Sequence, residues 1–251
     1  MNHVENADRF FSESCFVNTR ASGVLLHISS LPSPFGIGDL GSGCFDFINF
    51  LARSGQQYWQ VLPLGPTSEV FGNSPYMSSS AFAGNPLFIS PEQLIRDGLL
   101  KKDDLSEYED FSKFLVDFAQ VTAWKQKLLN KAWQNFQQQN SSAEQDDFFT
   151  RLNEEYHWLE KYSFFMTLKE RYGQKSWLLW PKKIRRCQPK AVRKATKELR
   201  ERIRYFQFEQ YLFFRQWETV HGYAREKGIR IIGDLPIYVG LDSADVWANF
   251  K

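Results

Sequence analysis

Apolar residues follow two rhythms along this chain. Near Gly23, near Tyr58 and near Ile229 they form short, almost continuous runs that stop at Pro, Gly or acidic residues. Between about 91 and 227 they recur every three or four positions instead. A short continuous run bounded by turn residues reads as a buried strand, and a 3.6-residue recurrence reads as an amphipathic helix. "GVLLHISS", Gly23 to Ser30, is therefore predicted as a strand, and "LPSPFGIGDLGSG" after it as a loop. In "CFDFINFLARSG" the apolar positions 44, 47, 48 and 51 share one helical face, and Gly55 supplies the stop. "YWQVLPLGPT" is a second strand, from Tyr58 to about Leu62. Strand, helix, strand in this compass is a βαβ unit, which builds parallel sheet. "IRIIGDLPIYV" gives a third strand, about Ile229 to Asp234.

The second and third strands are separated by more than 160 residues, whereas a crossover needs only about a dozen. The block at 91–227 is thus expected to be a helical insertion in a parallel α/β layout. Within it, Trp124, Leu128, Ala132 and Phe136 recur every four residues in one helix. "QQQNSSAEQDD" (137–147) is expected to break the pattern as a surface turn. "RLNEEYHWLEKYSFFMTLKERYG" reads as one amphipathic helix stopped by Gly173, and a long helix from about Ala191 to Lys227 is capped by Gly228. The expected division is a lead-in at 1–22, two strands and a loop at 23–90, the helical insertion at 91–227, and the third strand with its loop at 228–251.

Composition narrows the function classes. A chain of 251 residues can bury roughly 70–75% of its unfolded surface. The formal net charge of +2 points to no charged partner. Aromatic residues make up 16%, which suits either a ring-filled core or rings exposed for stacking on sugars or bases. Cys15, Cys44 and Cys187 are odd in number and show no C-x-x-C or ligand spacing, so neither a disulfide framework nor a metal site is expected. No apolar run is long enough for a membrane span, and "MNHVENADRFFSES" does not read as a secretory signal. A cytoplasmic setting is expected.

Candidate chemistry gathers at the ends of the three runs. Parallel α/β proteins bind ligands at the carboxyl ends of their strands, which would bring His27, Ser29, Ser30, Gln60 and Asp234 toward one face. His27 also fits a satisfied core histidine, and Asp234 fits a turn cap; both readings stay open. "GIGDLG" at 36–41 has the glycine spacing of a dinucleotide loop, but "LPSPF" intervenes between strand and glycines, and no acid closes the next strand. The run at 181–204 holds eleven Lys and Arg against two Glu. It fits a solvated helix face better than a nucleic-acid surface, because no aromatic residues are interleaved.

The stretches "GVLLHISSLPSPFGIGDLG", "YWQVLPLGPT", "NSPYMSSSAFAGNPLFI", "YLFFRQW" and "IRIIGDLPIYVGLDSADVWAN", taken in order, resemble the amylomaltases, the 4-α-glucanotransferases of glycoside hydrolase family 77. The resemblance spans Gly23 to Asn249. It implies a TIM barrel whose first three strands are those above, with the helical block inserted between strands two and three. It implies transfer of α-1,4-glucan segments between maltooligosaccharides with retention and no cofactor. Retention needs two carboxyl groups about 5–5.5 Å apart, one as nucleophile and one as acid/base. The family's Arg-x-Asp-His-Phe nucleophile motif is absent here, so the catalytic carboxylates are expected beyond Lys251 and the chain to be an N-terminal half. Such a half is expected to associate and to lack transglycosylation on its own. The resemblance carries substrate contact onto Tyr76, with Ser74 beside it, and onto Asp234 at the barrel mouth. Phe71 stands where some relatives have a tyrosine tied to a second glucan site, which puts that site in question. The expected partners are α-1,4-glucans and the missing C-terminal half, not nucleic acid or membrane. A non-catalytic glucan-binding protein and a nucleic-acid-binding helical protein are the competing readings.

Overall fold

The computed structural model describes residues 20–105, 111–112 and 114–250; Cys15 and all but the last three residues of the lead-in lie outside them. Three short strands, β1 (Gly23–Leu25), β2 (Tyr58–Gln60) and β3 (Arg230–Ile232), pair in parallel in the order β1-β2-β3. The register puts Val24, Trp59 and Ile231 in one row and Leu25, Gln60 and Ile232 in the next. Successive side chains leave a strand on opposite faces, so the two rows look in opposite directions. The Trp59 row meets the helices: Trp59 is fully buried, and its indole N–H donates to the Leu26 carbonyl at 2.7 Å. The other row is open, with Leu25 at 55% and Ile232 at 42% exposure.

Each strand is shorter than its apolar run predicts. After Leu26 the chain folds into a 3₁₀ turn, Ile28–Ser30, in which the Ser30 and Leu31 amides return to the His27 and Ile28 carbonyls at 3.0 Å each. Ile28 is fully buried, so its hydrophobicity serves the turn rather than a strand. The prolines at 63 and 236 end the other two runs, since proline cannot donate to a ladder. Pairing fades gradually: the Leu26 amide still donates to Gln60 and the Val61 amide to Ile232.

Nine α-helices surround the sheet among the described residues. Helix α1 (Ser42–Arg53) makes the β1–β2 crossover; α2 (Pro91–Arg96) follows the long loop. The insertion contains α3 (Phe118–Gln139), α4 (Ser142–Glu155), α5 (Leu159–Arg171), α6 (Lys182–Arg185), α7 (Pro189–Glu198) and α8 (Arg200–Glu226). The last helix, α9 (Ala244–Asn249), follows β3. The expected turn at 137–147 is reduced to Asn140 and Ser141, because Ser141 and Glu144 form a capping box that starts α4 at once. The single helix expected up to Gly173 breaks at 156–158, where Tyr156 and Trp158 turn their rings onto Phe214. The long helix expected from Ala191 divides at Leu199, whose backbone has left the helical region.

Rings fill the insertion. Trp133, Phe136, Phe149 and Phe208 contact one another with centroids 4.9–6.3 Å apart, the separation at which aromatic pairs attract beyond simple burial. Four cations of the basic run, Lys194, Arg200, Arg202 and Arg204, pair with carboxylates. Arg202 forks onto Glu170 at 2.5 and 2.9 Å and covers the Tyr205 ring.

One buried ion pair joins the insertion to the β1–α1 loop. Lys125 of α3 reaches Asp39 at 3.5 Å, and both are almost wholly buried. The ammonium also donates to the Ile89 carbonyl at 2.6 Å, and Asp39 accepts the Gly41 amide at 2.9 Å. Burial pushes the Asp39 carboxyl up and the Lys125 ammonium down, and their mutual attraction opposes both shifts. Removing one partner strands the other in a low-dielectric interior. Lys125→Met in the full-length protein is expected to cost about 3–5 kcal/mol, read as a fall in Tm. The double change Lys125→Met/Asp39→Asn is expected to recover part of that loss.

Candidate functional site

The loop after β2 carries the residues of most chemical interest. A 3₁₀ turn, Glu69–Phe71, leads to Gly72 and Asn73, both left-handed with φ of 62° and 55°. This double reversal sends Ser74, Pro75 and Tyr76 back toward the carboxyl end of β3. There the Tyr76 hydroxyl donates to Asp234 Oδ2 at 2.8 Å, across 158 residues of sequence. Accepting that bond, the carboxylate holds the phenol protonated and raises its pKa above the ordinary tyrosine value. Ser74 Oγ accepts the Tyr76 amide at 3.4 Å. Tyr76, Ser74 and Asp234 are thus brought together.

A small cleft of about 160 Å³ opens beside Asp234, walled by Pro75, Phe82, Phe214 and Trp217. Tyr76 is 43% and Phe82 58% exposed; the Tyr76 hydroxyl meets the cleft through Asp234, and Phe82 lies over Trp158 with planes 19° apart. Phe71 is likewise exposed on the same loop.

The other sequence candidates are placed differently. Gln60 is half-buried in the open row of the sheet between Leu25 and Ile232. His27 sits edge-on to Phe88 at 5.4 Å, with Nδ1 buried and unpartnered among the described residues. Burial lowers its pKa to about 4, so the ring is neutral at pH 7. Ser29 lends its backbone carbonyl to the Gly38 amide at 3.1 Å. Both belong to the packing under the "GIGDLG" loop. That loop has no room for a phosphate: a Cβ on Gly38 would lie 1.9 Å from the Ile28 carbonyl oxygen. Its amides are also committed, Gly38 to Ser29, Leu40 to Phe88 and Gly41 to Asp39.

Several residues that position the site escape sequence reasoning. Helix α8 clamps the loop's backbone through two buried glutamines. Gln210 accepts the Gly84 amide at 2.8 Å and donates to the Gly84 carbonyl at 3.0 Å. Gln216 treats Ser90 the same way, at 2.7 and 3.3 Å. Gly84 must be glycine, since a Cβ would approach the Phe213 ring to 2.0 Å. From the other side, Asp245 in α9 accepts the Ala81 amide at 2.7 Å and the Ser80 hydroxyl at 3.3 Å. The Ala244 amide donates to Ser79. Lys169 of α5 pairs with Asp242 at 2.8 Å, which fixes the segment between Asp234 and α9. The available signal was polarity in the wrong place: Gln210 and Gln216 interrupt the apolar face of "YFQFEQYLFFRQW".

The chain is 45% identical over 233 residues to a 4-alpha-glucanotransferase of Synechocystis sp., covering 93% of this chain and 46% of that protein. It is 44% identical over 230 residues to a 4-alpha-glucanotransferase of Thermus thermophilus, covering 92% and 45%. The chain therefore spans about half the length of the curated relatives it matches. Among solved structures it is similar to the amylomaltase from Streptococcus agalactiae in complex with acarbose, with a TM-score of 0.85 at 39% identity, over 92% of this chain and 46% of that one. The amylomaltase of Corynebacterium glutamicum shares the fold at a TM-score of 0.65 and 18% identity. The family profile described as 4-alpha-glucanotransferase, glycoside hydrolase family 77, matches residues 26–251, and the chain belongs to that family.

Proposed function

We propose that this chain forms the N-terminal part of a 4-α-glucanotransferase and supplies part of its sugar-binding surface. In this reading β1, β2 and β3 are the first three strands of a (β/α)8 barrel. Residues 23–90 carry two of them with the sugar loop, 91–227 form the inserted subdomain, and 228–251 carry the third. The open row Leu25, Gln60 and Ile232 then faces the barrel interior, which suits its exposure in a part-barrel.

The chemistry assigned to the whole protein is double displacement at an α-1,4-glucosidic bond. A carboxylate attacks the anomeric carbon while a carboxylic acid protonates the leaving oxygen. The 4-hydroxyl of a second glucan then takes the glycosyl group, its proton passing to the same acid/base residue. Both carboxyl groups are assigned outside this chain. This chain binds and orients: the exposed Tyr76 face stacks on a sugar ring, and Asp234 fixes the phenol and offers its remaining oxygen to a sugar hydroxyl. Ser74 shapes the turn that presents Tyr76. Gln60 faces the same interior, and His27 and Ser29 support the loop from below. The Tyr76–Asp234 bond carries this reading, because it joins the β2 loop to the end of β3 with one ring face left free. The substrates proposed are α-1,4-glucans and maltooligosaccharides; the setting proposed is the cytoplasm. No helix among the described residues is long and apolar enough to cross a membrane.

The test is glucose release from maltotriose by the full-length protein. No release above a no-enzyme control would overturn the proposal. Residues 1–251 alone are expected to give none, and to associate through the open sheet face.

Two residue-level outcomes are expected. Tyr76→Phe keeps the ring and loses one bond to a carboxylate, so kcat/KM for maltotriose should fall about tenfold, equivalent to about 1.4 kcal/mol. Adding Asp234→Asn to it should cost less than the two single effects combined. His27 in the folded state titrates near 4 against an ordinary 6.5. The unfolded chain therefore holds the extra proton between these values, and stability must rise with pH across that window. His27→Phe should flatten this slope in a Tm-versus-pH series; an unchanged slope would place the histidine elsewhere.

A further inference from the structure

A second, larger cavity lies away from Tyr76 and Asp234, among the helices between β2 and β3. It measures about 550 Å³ and is bounded by α4, α5, α7, α8 and α9. It shares no lining residue with the cleft beside Asp234. Its volume falls inside the range typical of small-molecule sites.

Its charge is unbalanced. Arg200, Arg204 and Lys161 line it against two carboxylates, Asp146 and Glu160. Arg200 and Arg204 both donate to the same oxygen, Asp146 Oδ1. Arg204 is buried, with its side chain 9% exposed, and spends only one nitrogen on that bond. Its guanidinium also lies over the Phe149 ring, 5.0 Å from the centroid. Lys161 has no hydrogen bond or ion pair among the described residues. Two guanidiniums share one carboxylate oxygen and Lys161 stands nearby, so three cations face two carboxylates on this wall, an excess that leaves room for another anion.

The neighbouring groups define what kind of anion fits. Gln207, buried, donates to Asn153 Oδ1 at 2.8 Å, which leaves the Gln207 carbonyl and the Asn153 amide group for a ligand. Trp247 also lines the cavity, and its indole N–H is buried without a partner among the described residues. Amide groups on one side and cations on another recognise hydroxyls and an oxyanion in one molecule. Two guanidiniums suit phosphate in particular, because their fork geometry matches its oxygens.

We propose that this cavity binds a phosphorylated monosaccharide, with its phosphate on Arg200, Arg204 and Lys161 and its hydroxyls on Asn153 and Gln207. The site is independent of the glucan surface assigned above. It still shares an element with it: α9 places Trp247 on the cavity and Asp245 on the loop at Ser80 and Ala81.

The experiment is titration calorimetry on the full-length protein with glucose 6-phosphate, inorganic phosphate and glucose as separate probes. Glucose 6-phosphate is expected to bind saturably, inorganic phosphate more weakly and in competition with it, and glucose not at all at the same concentrations. Arg200→Gln and Lys161→Gln replace exposed residues, so folding is retained. Each is expected to weaken glucose 6-phosphate binding about tenfold, the loss of one charge-assisted contact. Saturating maltotriose is expected to leave the binding in place. The proposal is overturned by the absence of saturable binding, by equal affinity for inorganic phosphate, by binding unaffected in both variants, or by displacement with maltotriose. None of these outcomes depends on transferase activity, so failure here is distinct from failure of the glucan assignment.

Discussion

A loop whose backbone is buried must have its amides and carbonyls answered, and the answer here comes from side chains. Residues 78–90 are mostly buried, yet they join neither a sheet nor a long helix. Gln210 and Gln216 act as substitute strands, each offering one acceptor and one donor to a single residue of the loop. An amide side chain carries a donor and an acceptor side by side, so it answers the carbonyl and the amide of one residue together. The wall of the cleft at Ala83 and Gly84 follows from where the Gln210 clamp holds the chain. The insertion is thus a mould for the loop as well as a covering for the sheet.

The same economy governs charge. The interior holds few ionised groups, and the deepest pair, Lys125 and Asp39, sits where three chain segments meet. Such a pair contributes less to net stability than an apolar contact of equal size. Its value lies in geometry, because only one arrangement satisfies the ammonium, the Ile89 carbonyl and the Gly41 amide together. Most other ion pairs lie on helix surfaces, where water weakens them.

How much of this was written legibly in the sequence depends on the range of the interaction. The three parallel strands and the run of helices between the second and third are legible because hydrophobic rhythm is local. The strand ends were misjudged where one apolar residue, Ile28, fills a turn instead of a ladder. Helix boundaries failed where long-range contacts decide them, as when Tyr156 and Trp158 leave the helix for Phe214. Asp234 and Tyr76 could be singled out separately, but nothing local says that one accepts from the other. His27 was chosen for its place at a strand end, and its ring turned inward. Gln210, Gln216 and Asp245 carry no motif at all; they act through backbone groups that any residue would present.

The 158 residues between Tyr76 and Asp234 have a consequence in time. Synthesis runs at about 5–20 residues per second, so roughly 8–30 s pass between the appearance of the phenol and that of its acceptor. Over most of that interval α8 is also incomplete, and the amides of Gly84 and Ser90 have only water to answer them. The loop that carries Tyr76 is therefore among the last parts of this chain to acquire a fixed shape, although it is encoded near the beginning. A nascent chain must carry that loop unformed, with its rings exposed, past the making of the whole insertion.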